Sequence, residues 1–166
     1  KSENSTRIFI EISEDLLTRL KVTHKNKYTM SMLAITAGDD ALAAFGTFKK
    51  GASGKAWIIY AIDGGSIKVE SEMTKADAGD DYLDAFITAV KGDDKARARY
   101  ATLDWNHKIL FVLWNPEGGK PADKMKYATA CEGFFQALEG CHAKLQATDD
   151  GELSKEIIEE KTKSTV

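Results

Sequence analysis

His107-Lys-Ile-Leu-Phe-Val-Leu-Trp-Asn-Pro-Glu-Gly-Gly-Lys-Pro-Ala-Asp-Lys-Met-Lys-Tyr-Ala-Thr-Ala-Cys-Glu-Gly-Phe-Phe-Gln-Ala-Leu138 is the stretch that decides how this chain folds. Its first part, Ile109 to Trp114, is an unbroken apolar run, too short to span a membrane as a helix and followed by a turn cluster. Such a run predicts a strand buried on both faces, placed mid-sheet. Asn115 to Pro121 holds two prolines and two glycines, which ends the strand and demands a loop. Pro121 suits a first helical position, where its missing N–H costs nothing, and Asp123 then lies in a first turn that favours negative charge. The helix that follows repeats apolar residues at three- and four-residue spacing: Met125, Ala128, Cys131, Phe134, Phe135 and Leu138. That spacing predicts one stripe facing a core, with Lys124 and Lys126 flanking it.

Downstream, Gly140 breaks the chain, Ala143, Leu145 and Ala147 alternate as a last strand, and Asp149 or Asp150 caps a final helix through Leu153, Ile157 and Ile158. Upstream, Asp104-Trp105-Asn106-His107 is a tight connection to a strand over Ala96 to Leu103, which carries Arg97, Arg99 and Tyr100. Tyr82, Leu83, Phe86, Ile87 and Val90 have helical spacing and stop at Gly92. Asp63-Gly64-Gly65 joins Ala56 to Ile62 and the alternating Ile67 and Val69 into a hairpin. Asp39 or Asp40 caps a helix whose stripe is Leu42, Phe45 and Phe48. The predicted order is helix, two strands, helix, two strands, helix, strand, helix. Strands mixed with helices around a fully apolar strand argue for an α/β (α+β) sheet between helix layers.

The first 29 residues differ from the rest, with a net charge of +2 against −5 for the remainder. Within them Ser13 caps a short helix through Leu16, Leu17 and Leu20, which is marginal alone. The 166 residues fit one domain with a core large enough to fold alone. No apolar run reaches spanning length and no hydrophobic signal region opens the chain, which predicts a soluble intracellular protein. A net charge of −3 speaks against a generally basic, nucleic-acid-type surface. Cys131 and Cys141 form no CxxC pair and predict free thiols, Cys131 as a small buried hydrophobe. His24, His107 and His142 have no Cys or carboxylate at ligand spacing, so neither a metal nor a cofactor is expected. Gly64-Gly65 and Gly118-Gly119 lack the spacing of a phosphate loop and read as turns. What remains is a surface at the start of the long helix, where Lys120, Lys124 and Lys126 surround Met125.

Trp114, Pro116, Lys124, Met125, Tyr127 and Ala128 together match a signature that pairs a buried strand ending in Trp-x-Pro with a helix carrying Lys-Met-x-Tyr-Ala. On those residues the chain resembles the ADF/cofilin proteins, over about Asp39 to Lys163; the family begins with Met-Ser or Met-Ala, so Met30-Ser31 implies that residues 1–29 are an N-terminal extension and residues 30–166 the ADF-homology actin-binding domain. The resemblance implies the ADF-homology, gelsolin-like fold: a mixed sheet of five or six strands, with the first helix and the long helix on opposite faces. It implies a non-enzymatic, monomeric protein that binds actin monomers, and filaments more weakly, promoting depolymerisation, severing and turnover in the cytoplasm; a nuclear presence is compatible with it. Monomer binding would fall to Ser31, Met32, Lys120, Lys124, Met125, Lys126, Thr129 and Glu132. Ser31 would be the residue whose phosphorylation adds about two negative charges against an acidic partner. Filament binding would use Lys108, Glu159, Lys161 and Lys163. Two positions depart from the family: Ala122 and Cys131 stand where it carries basic residues. The projection before the central strand is also short. Two alternatives stay open, a relative acting on the actin-branching complex and a phosphoinositide-binding module of the membrane surface.

Overall fold

The computed structural model describes residues 35–51 and 53–163. The Ser13 helix, the 1–29 extension, His24, Ser31 and Met32 lie outside them. In the described part, β1 (Thr36–Ala37) leads to α1 (Asp39–Phe48), then to the hairpin of β2 (Lys55–Asp63) and β3 (Ser66–Thr74). Next come α2 (Lys75–Ala78), α3 (Leu83–Lys91), β4 (Arg99–Trp105), β5 (Lys108–Trp114), α4 (Pro121–Ala137), β6 (Ala143–Ala147) and α5 (Lys155–Lys163). The six strands form one mixed sheet in the order β1-β3-β2-β4-β5-β6, antiparallel at its centre, with β1 parallel to β3 and β6 parallel to β5.

β5 is buried on both faces, as an uninterrupted apolar run requires. Its alternate residues divide between two cores. Leu110, Val112 and Trp114 face α3 and α5, together with Trp57, Phe86 and Ile158. Ile109, Phe111 and Leu113 face α1 and α4, together with Phe45, Tyr60, Tyr100 and Phe134. The first helix and the long helix therefore share a face, against the expectation of opposite faces. The cause is the strand pleat. The α1 stripe of Ala41, Phe45 and Phe48 packs on Ile58, Tyr60 and Ile67, and the same alternate set continues across β4 and β5 beneath α4.

Both hairpin turns have two residues. Gly64 and Gly65 take φ of 56° and 92° between paired Asp63 and Ser66, the left-handed geometry that such turns demand. Asn106 and His107 do the same at 52° and 62° between Trp105 and Lys108. The connection before β5 is thus as short as a hairpin allows. His142 closes the start of this region, its Nδ1 accepting the Ile109 N–H at 2.9 Å.

Several boundaries moved. β1 and α2 are short elements the sequence did not announce; α2 is capped by Thr74, whose hydroxyl accepts the Asp77 N–H at 3.2 Å. β4 begins at Arg99 because a turn closes just before it, the Arg97 N–H reaching the Asp94 carbonyl at 3.1 Å. The last helix begins at Lys155, after a turn in which Asp149 Oδ1 accepts the N–H groups of Gly151 and Glu152 at 2.8 and 2.9 Å. Leu153 is buried ahead of that helix rather than within it.

Candidate functional site at the start of the long helix

Pro121 occupies the first helical position of α4, after Lys120 in an extended N-cap conformation. Tyr127 sets the helix's rotation. Its side chain is only 6% exposed, its hydroxyl oxygen accepts the Ile62 N–H at 2.9 Å, and its carbonyl accepts the buried Tyr100 hydroxyl at 2.6 Å. Burial raises the Tyr127 hydroxyl's pKa, partly offset by the Ile62 bond and the nearby Arg97. Cys131, Phe134 and Leu138 continue the buried side at helical spacing, with Phe135 half-buried.

Met125 and Ala128 therefore do not join the core, contrary to the expected stripe. Met125 precedes Tyr127 by two residues, roughly 200° around the helix. Its side chain is 71% exposed, one of two large exposed hydrophobics among the described residues, the other being Leu42. Thr129 and Glu132 follow it by four and seven residues and are exposed, so the three expected contacts form one outward stripe.

Two of the lysines around this stripe have partners within the fold. Lys124 Nζ reaches the Glu117 carbonyl at 3.4 Å, and its own carbonyl accepts the Asn115 side-chain amide at 3.2 Å. Lys126 pairs with Asp123 at 3.2 Å. Glu132 pairs with Lys144 at 2.7 Å and accepts from Gln136 at 2.9 Å, and these bonds hold its carboxyl below the usual range. Asn115 was not expected as part of the site; it precedes Pro116, and its role depends on α4 folding back over it.

A cleft of about 420 Å³ opens beside the first turns of α4, lined by Arg97, Lys120, Asp123 and Lys126 over a floor that includes Ile62 and Tyr127. The sequence marks Arg97 only as a strand residue. Its period-two spacing from Arg99 was the available signal, and it could not say that the segment before β4 approaches α4.

The expected filament residues lie elsewhere. Lys108 follows the two-residue turn, while Glu159, Lys161 and Lys163 lie on α5 with Glu159 and Lys163 paired at 2.9 Å. Cys131 and Cys141 are both free thiols, and burial pushes the Cys141 thiol up to about 12. Among the described residues no group of three or more His, Cys, Asp or Glu is placed to hold a metal, and no helix is long and apolar enough to cross a membrane.

With this geometry in hand, the family model for the cofilin/tropomyosin-type actin-binding proteins matches residues 34–163. The chain belongs to the ADF/cofilin family. Among relatives of this ADF/cofilin protein, the cofilin of Ogataea parapolymorpha is 30% identical over 146 residues, covering 82% of this chain and 97% of that one. Actophorin of Entamoeba histolytica is 32% identical over 143 residues, covering 80% and 98%. Among solved structures, the cofilin of Streptomyces griseoflavus superposes with a TM-score of 0.65 at 27% identity, covering 75% of this chain and 96% of that one. The six-stranded mixed sheet flanked by helices is the fold of this ADF/cofilin family.

Proposed function

We propose that this ADF/cofilin protein binds actin monomers through the first half of α4 and promotes filament depolymerisation, severing and turnover in the cytoplasm. The observation that carries the reading is Met125, 71% exposed on a helix otherwise rooted in the core by Tyr127, Cys131 and Phe134. A large apolar side chain in water is a cost that a partner relieves, and Met adapts its shape to an uneven groove. Lys120, Lys124 and Lys126 surround it with charges that steer an acidic partner and fix its register. Thr129 and Glu132 extend the contact along the same stripe, and Ser31 and Met32, outside the described residues, are further contacts of the monomer in this reading. Phosphorylation of Ser31 would set negative charge against the acidic partner and weaken binding. Lys108, Lys161, Lys163 and Glu159 make a second, weaker filament contact. Because three lysines share the tip, a phosphoinositide surface would compete with actin there rather than add to it.

The test is titration of fluorescently labelled actin monomers, with a filament-disassembly assay on the same preparations, with and without residues 1–29. Saturable monomer binding and faster disassembly are expected from both forms. Absence of a complex with the monomer would overturn the reading.

A further inference from the structure

The cleft beside α4 is built around a fixed arginine. Glu70 on β3 accepts from Arg97 Nη1 at 2.8 Å, and the same carboxylate pairs with Arg99 Nε at 3.4 Å. Arg99 is buried and fastens the backbone beneath Arg97, its Nη1 donating to the carbonyls of Lys91 at 3.0 Å and Arg97 at 3.4 Å. The segment so held abuts the loop that launches α4: a Cβ on Gly119 would come within 2.8 Å of the Ala96 carbonyl and 3.2 Å of the Lys124 side chain. Arg97 is therefore pinned at both ends and set against the interface helix. Its pair to Glu70 uses one nitrogen of a group with five N–H donors, and its side chain stays 46% exposed.

The carboxylates in the cleft are already engaged within the fold. Asp123 pairs with Lys126 at 3.2 Å, and Asp94 Oδ1 accepts the Ala96 N–H at 3.1 Å in its own turn. Lys120, and Arg97 whose partner Glu70 is shared with Arg99, are the cations left to meet an incoming carboxylate, above an apolar floor and next to the positive end of α4. Lys126 lines the cleft, and Ala122, four residues earlier on the same helix face, brings no charge.

We infer that Arg97 is a further actin-contacting residue, preset by Glu70 and Arg99 to receive a carboxylate-bearing segment of the monomer that enters the cleft alongside α4. The inference rests on the monomer-binding reading and adds a contact from outside α4. A planar, rigidly held guanidinium loses little freedom on pairing with a carboxylate, whereas a surface lysine loses more.

Monomer titrations at several salt concentrations test it, using the full chain, R97A, R97K, R97E and K124A/M125A, with thermal melting of each. R97A is expected to weaken binding about tenfold and to flatten the salt dependence, since a rim charge acts through steering and pairing. R97E is expected to weaken it further, and R97K to stay within about threefold at low salt because it keeps the charge. A purely structural role would lower the melting temperature while leaving the salt dependence as in the wild type, and that result overturns the inference. So does an R97A affinity within about twofold of wild type while K124A/M125A loses binding, a result that leaves the monomer-binding reading intact. Should the wild-type chain itself not bind, the monomer-binding reading fails and the inference falls with it.

Discussion

The start of α4 and the end of the β4–β5 hairpin are both exposed and both carry lysines, yet they are built differently. At the α4 tip an apolar side chain stands out of the surface, cations surround it and a cleft with an apolar floor opens beside it. At the hairpin end the turn has two residues, Lys75 pairs with Asp104 at 2.6 Å, and Tyr82 stacks edge-on against Trp105 at 5.1 Å. On α5, Glu159 and Lys163 satisfy each other. Charge alone does not make a strong contact, because exposed ion pairs in high dielectric contribute little. An interface gains most from an apolar anchor that the partner desolvates, with charges around it; among the described residues the tip offers an exposed large apolar side chain, Met125, for that part in the proposed reading, while the hairpin end offers none.

The sharpest way to break this comparison is the K124A/M125A variant. Removing the anchor and its neighbouring cation should weaken monomer binding on the order of a hundredfold while circular dichroism and the melting temperature barely change. Unchanged affinity would place the anchor elsewhere. Next in size is the contrast between the surfaces themselves. Co-sedimentation with filaments should require about tenfold more protein than monomer binding, for want of a buried anchor at the hairpin end. Stoichiometric decoration of filaments at low concentration would erase the distinction.

A smaller effect separates rotation of the helix from its surface. Y100F removes the buried bond to the Tyr127 carbonyl and should cost about 1 kcal/mol in chemical denaturation, leaving monomer affinity within about twofold. A large affinity loss would mean that this bond sets the pose of Met125. Smallest is an acid effect on the outward stripe. The Glu132 carboxyl is held below its ordinary value of 4.5 by Gln136 and Lys144, so its contribution is complete above that value and disappears as pH falls through the lowered one. Wild type should therefore exceed E132Q slightly in stability at neutral pH, and the two should converge in acid. A constant difference down to pH 3 would exclude that carboxylate as the source.

Much of this was legible in the chain. The apolar run Ile109 to Trp114 could only be a doubly buried strand, Gly64-Gly65 could only be a tight turn, and Pro121 fixed where the long helix starts. The signature from Trp114 to Ala128 named the family, because it ties a strand end to a helix face at fixed spacing. These are local matters, decided by backbone freedom and by the burial of nearby side chains.

Tertiary structure decided the rest. Met125 and Ala128 start one stripe at helical spacing, and Tyr127, Cys131, Phe134 and Leu138 make another. Periodicity alone cannot choose between them when both are largely apolar. Burial of Tyr127, Cys131, Phe134 and Leu138 against the sheet chose, turning Met125 outward. The shared face of α1 and α4, and the approach of Arg97 to Lys120, likewise depend on which strands lie side by side. Sequence determines what each segment prefers; packing between segments far apart in the chain determines which side of each one meets water.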